Sequence, residues 1–168
     1  MFTLKTLSPM AIPAALEKAN RYRLLNEPEQ AESICKDILA VDAKNAEAMK
    51  TMILAMTDQL ASVRCVPIKQ IRDLLPQLPG EYERAYYAGI IDEREGIAWM
   101  RSDKPRAGIE AYHCFRQAMS HFERAETLRP KGNDDAILRW NSCARMIDEH
   151  KDVAPADDKD DRSFDQGD

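Results

Sequence analysis

Glycine is scarce in this chain, with six among 168 residues, and no glycine-rich stretch is available to cradle a phosphate. A G-x-S-x-G nucleophile elbow is absent as well. Cysteine is confined to Cys35, Cys65, Cys114 and Cys143, scattered without a C-x-x-C pair. That spacing excludes the usual zinc and thioredoxin patterns and suits buried thiols in a reducing, cytoplasmic compartment. The only histidines are His113, His121 and His150. His113 and His121 stand about two helical turns apart and so cannot form the i, i+4 pair of a zinc helix. No apolar run approaches the roughly 20 residues that span a bilayer. Pro9 and Pro13 interrupt the short apolar pieces near the start, which leaves no signal-peptide core. Basic charge is not in excess either: the formal net charge is −5, and residues 151–168 hold three Lys or Arg against seven Asp. A basic stripe for nucleic acid is missing, and an anionic membrane is a poor partner for such a tail.

What the chain does contain is helix-forming material, with 44% hydrophobic and 32% charged residues in an Ala-, Leu-, Glu-, Lys-, Arg- and Met-rich background. One core is affordable at this length. Prolines and turn residues divide the sequence into seven expected helices: Pro13 to Leu25, Pro28 to Val41, Ala46 to Ala61, Pro67 to Leu75, Glu81 to Met100, a sixth ending at Leu128, and a seventh ending near His150. Asn26 and Asn133 are expected as caps. In the third helix Met49, Met52, Met56 and Leu60 share a face, which points to core packing. The fifth carries two apolar rows, Tyr82, Tyr86, Ile90, Ile97 and Ala88, Ile91, Ala98, with Ala85, Gly89 and Gly96 beside them. Small residues there let a neighbouring helix approach closely. Tyr86 and Tyr87 point to different sides, so at most one is expected in the core and the other is available to a partner. Residues 1–11 form an N-terminal extension, residues 12–149 the helical domain, and residues 150–168 an acidic tail expected to be disordered.

Consecutive helices of this length invite a test for repeats. In "QAMSHFERAETLRP", Ala118, Phe122, Ala125 and Pro130 are spaced four, three and five apart. From Ile12 to Asn45, Ala15, Lys18, Ala19 and Tyr22 are followed by Ala31, Cys35, Ile38 and Ala43. A further unit opens at Ala46 with Met49, Met52, Ile53 and Met56. These positions resemble the signature of the tetratricopeptide repeat, in divergent form, over residues 12–149. Lys18, Ala43 and the short segment after Met56 depart from the pattern. The resemblance implies an all-α fold of antiparallel helix pairs stacked as a short solenoid, with the Trp140-bearing helix closing the last apolar face.

The resemblance also implies a function: a non-enzymatic scaffold that holds a peptide or helix of another protein in a groove. By position, the groove residues are Leu16, Asn20 and Arg23 in the first unit, Lys50, Leu54 and Asp58 in the second, and Leu138, Arg139 and Arg145 in the closing helix. The two-carboxylate clamp of chaperone-binding members is not expected, because Leu16 and Thr51 replace its Lys and Asn and only Asn20 is kept. An alternative within binding proteins is a cytosolic chaperone for a secreted protein. A second alternative is a helical-bundle enzyme or metal protein using His113, Cys114, Cys143 or the cluster of Asp92, Glu93 and Glu95. Arg94 and Arg101, on the same helix as those carboxylates, make an ion-paired or solvated face the better account. No cofactor or metal is expected, and a homodimer is left open.

Overall fold

The computed structural model describes residues 2–61 and 66–156. Among these residues the fold is all-α, with seven α-helices and no strand: α1 (Ile12–Leu24), α2 (Pro28–Val41), α3 (Ala46–Asp58), α4 (Ile68–Arg72), α5 (Glu81–Met100), α6 (Ala107–Leu128) and α7 (Asp135–Glu149). Short 3-10 turns at Pro9–Ala11 and Leu75–Gln77 add to these. Cys65 and residues 157–168 of the expected acidic tail lie outside the described residues.

The punctuation has local causes. Pro13 and Pro28 sit in the first turns of α1 and α2, where a missing N–H is harmless. Asn26 does not cap α2 as expected from sequence. It is the left-handed residue that closes α1, with φ 59°. Its N–H bonds to the Arg23 carbonyl and the Glu27 N–H reaches back to Tyr22 at 2.9 Å, the paired bonds of a Schellman ending. Asn45 caps α3 by accepting from the Ala48 N–H at 2.9 Å. Asn133 accepts from the Asp135 N–H, but it lies two residues ahead of the helix start and Asp134 holds the cap position. The fourth expected helix shrinks to a single turn and a 3-10 turn, because the Pro76 and Pro79 region cannot sustain it.

Helices α1 and α2 pack together, α2 packs on α3, α3 on α5, α5 on α6 and α6 on α7. The α5–α6 interface is the most extensive, while α4 touches α3 and α5 only lightly. Three apolar clusters fill the interior. Ala19, Ala31, Cys35 and Ala55 lie between α1, α2 and α3. Met49, Ile53, Met56, Leu60, Ile71 and Ile91 join α3, α4 and α5, so the methionine stripe is core. The largest cluster, with Phe115, Ala118, Phe122 and Ala125 wholly buried, joins α5, α6 and α7. Each buried Phe contributes about 1.5–3 kcal/mol by leaving water.

The small residues of α5 permit its close approach to α6. A Cβ on Gly89 would stand 2.5 Å from the Phe122 ring, and one on Gly96 would crowd Phe115 and Cys114 at 3.1 to 3.2 Å. Tyr86 and Tyr87 are both packed against apolar clusters, which corrects the expectation that one would be left over. Tyr86 stacks on Tyr82 at 5.7 Å between centroids and tilts against Phe122 at 5.9 Å. Beyond α7 the chain folds back over Gly108 and buries Val153 in the same cluster.

Candidate functional site

Contacts link α1 to α3, α3 to α5 and α5 to α7, so the odd-numbered helices run as successive neighbours. Polar side chains cross each of these boundaries. Thr51 Oγ1 on α3 donates to Asn20 Oδ1 on α1 at 3.2 Å. One turn along, Arg23 grips Asp58 Oδ2 through Nε at 3.0 Å and Nη2 at 2.9 Å. Asp58 Oδ1 then faces Arg94 Nη1 on α5 at 3.8 Å. At the last boundary Arg139 Nη1 on α7 bonds Glu93 Oε2 on α5 at 3.1 Å.

Of the sequence-predicted groove residues, Arg23 and Asp58 are therefore brought together directly, and Asn20 joins them along α1. Lys50 is held within its own helix by Glu47 at 2.9 Å. Leu16 is half-buried, and Leu54 packs partly into the α5–α6–α7 cluster. Leu138, at 65% exposure, and Arg145 stay in water on α7. Arg139 is not a free groove cation, since it neutralises a carboxylate that is 3% exposed.

The carboxylates of α5 differ from expectation in their partners. Asp92 is buried and bonds Arg72 of α4 at 2.7 Å, while Glu95 takes the same Arg72 Nη2 at 2.9 Å. His121 Nε2 on α6 lies 3.4 Å from Asp92 Oδ2. The ion-paired account holds, yet the cations come from other helices and two of the acids lie inside the protein. Burial pushes the Asp92 and Glu93 carboxyls above their ordinary range, against the pull of Arg72 and His121 on the first and of Arg139 and Arg94 on the second. Burial likewise raises the thiols, Cys35 to about 11 and Cys114 and Cys143 to about 12. They are neutral, inert apolar groups near neutral pH. Among the described residues no three His, Cys, Asp or Glu side chains converge as metal ligands.

A cavity of about 400 Å³ opens between the α1–α2 turn and the later parts of α3 and α5. Arg23, Asp58, Arg94 and Arg101 supply its charged lining, with Leu60 and Ile97 among its apolar residues. Arg94 and Arg101 were assigned from sequence to an ion-paired or solvated face. Their spacing along α5 was visible, but the approach of α3 and of the α1–α2 turn was not. None of the described helices is long and apolar enough to cross a membrane. Comparison with protein-family models, curated proteins and solved structures finds no match to this chain.

Proposed function

We propose that the chain is a non-enzymatic interaction module of tetratricopeptide type, which holds a peptide or helix of a partner protein along the side formed by α1, α3, α5 and α7. In this reading α1/α2, α3/α4 and α5/α6 are successive repeats and α7 closes the stack. The observation that carries it is the chain of polar contacts from Asn20 and Arg23 through Thr51 and Asp58 to Arg94, and from Glu93 to Arg139. A run of side chains from alternate helices is what an extended ligand needs, because it meets a new helix at each step. The inert thiols and the pairing of the α5 acids with arginines support a binding role over a chemical one. A cytoplasmic setting belongs to the same proposal, since buried free thiols persist there.

The test compares partner capture from the native cell by the wild-type chain and by a variant carrying Asn20→Ala, Leu138→Ala and Arg145→Ala. These positions are exposed, so helical circular dichroism should be unchanged while capture of a specific protein drops. An undiminished set of captured proteins would sink the groove. Arg139 is unsuitable for this purpose, because removing it strands Glu93 inside the protein and costs about 3–5 kcal/mol of stability whatever it does to binding.

A further inference from the structure

We propose that the cavity beside the α1–α2 turn is a carboxylate-binding subsite, whose occupant is an Asp or Glu side chain of a partner peptide with an apolar residue next to it. The proposal rests on the groove reading and adds the chemistry of the partner.

Charge is the first argument. Three guanidinium groups, Arg23, Arg94 and Arg101, line the cavity against the single carboxylate of Asp58. The whole chain carries a formal charge of −5, so this local cationic excess runs against the overall balance. Asp58 is also occupied, with Oδ2 held by two nitrogens of Arg23.

Arg94 supplies the second argument. Its ion pair with Asp58 spans 3.8 Å, well beyond the roughly 2.7–2.9 Å of a charge-assisted hydrogen bond. Its Nε is buried and has no hydrogen-bond partner. Glu93 is near enough for Arg94 to act on its carboxyl, but Glu93 Oε2 is already bonded by Arg139. Buried donors in native proteins are satisfied with few exceptions, so Arg94 is an incompletely bonded arginine whose guanidinium lines the cavity. Arg101, just past the end of α5, is exposed, and its side chain has no ion pair among the described residues.

The remaining lining adds apolar surface to this charge. Asp58 shares the wall with three arginines, which keeps the local charge positive, and a carboxylate presents the two oxygens that one guanidinium fork can bond in parallel. Leu60, Ile97 and Ala98 provide apolar wall. A second cavity of about 460 Å³ shares Leu60, Ala98 and Arg101 with the first and continues to Ile68 and Trp99. An apolar side chain adjacent to the acid has room there. Leu16, Asn20 and Thr51, the positions compared above with the two-carboxylate clamp, are not part of this lining.

Fluorescence anisotropy on the full chain tests the proposal with three labelled probes. One is a short amidated peptide alternating Leu with Glu or Asp, the second its Gln and Asn twin, and the third that twin with a free C-terminus. The acidic peptide should bind at least about tenfold more tightly than its amidated twin, and raised salt should erode the difference. Arg94→Gln and Arg101→Gln should each abolish most of that preference; exposed Arg101 gives a variant whose folding is not at issue. Equal binding of the acidic and amidated neutral peptides, or an undiminished preference in both variants, overturns the subsite. Preference confined to the free-terminus probe overturns the side-chain assignment. The groove reading fails separately: if Asn20→Ala with Leu138→Ala leaves acidic-peptide binding unchanged while Arg101→Gln removes it, the cavity acts alone.

Discussion

At the residue scale, the packing of Gly89 and the pairing of Glu93 make opposite demands on stability. Alanine is a better helix former than glycine by about 1 kcal/mol, so Gly89→Ala would be stabilising on an open helix face. Here the new methyl would press on the Phe122 ring, which is itself fully buried and has nowhere to yield. Overpacking should dominate and lower stability by about 1–3 kcal/mol, measured by urea or thermal unfolding. Glu93 tests the electrostatics. Its carboxyl is raised by burial, so the native state holds that proton more tightly than the unfolded chain. The associated stability is complete below the unfolded value and is lost as pH rises through the folded one. Glu93→Gln removes this loss, and its stability relative to wild type should improve as pH rises above the ordinary carboxylate range and through the raised value of the buried Glu93 carboxyl. A difference independent of pH would show that the charge of Arg139 offsets the effect of burial on Glu93. Gly89 and its role were legible from the small-residue row on α5. The depth of Glu93 was not, because an acid in a charged run reads as surface until the opposing helix is known.

At the element scale, helix ends were the most legible features where the chemistry is local. Pro28, Asn45 and Glu81 begin or immediately precede helices whose starts the sequence marks, although α3 stops at Asp58, short of the expected Ala61. Asn45→Ala should cost about 1 kcal/mol by removing the cap of α3, and Asn45→Ser or Asn45→Asp should restore most of it in the same unfolding assay. Asn26 was misread because an asparagine between two helices can close the first or open the second, and only backbone geometry separates the two. Since it occupies a left-handed conformation, Asn26→Gly should be tolerated, whereas Asn26→Val should destabilise by about 1 kcal/mol or more. Helix α4 shows the limit of periodicity: the apolar pattern of Ile68, Ile71 and Leu75 continues past the point where the prolines stop the helix. Its remaining turn is tied to α5 by Arg72, which serves both Asp92 and Glu95.

At the scale of the whole molecule, the helices pack unevenly, with α5 and α6 most extensively joined and α4 only lightly attached, and each functional proposal depends on how the odd-numbered helices are placed. The groove requires α1, α3, α5 and α7 to act as one side, and the subsite requires the α1–α2 turn to lie against α3 and α5. Composition and spacing by themselves determined that this chain is helical, where most helices begin and end, and which faces turn inward. Those properties follow from local backbone chemistry and from the 3.6-residue period, which any observer of the sequence can count. Only the tertiary structure decided the partners of the charged residues. It sent Asp92 to Arg72, Glu93 to Arg139, and Asp58 to Arg23 and Arg94, leaving Arg94 incompletely bonded beside a cavity. The physical reason is that periodicity specifies a face but carries no information about which distant helix will cover it, or at what register.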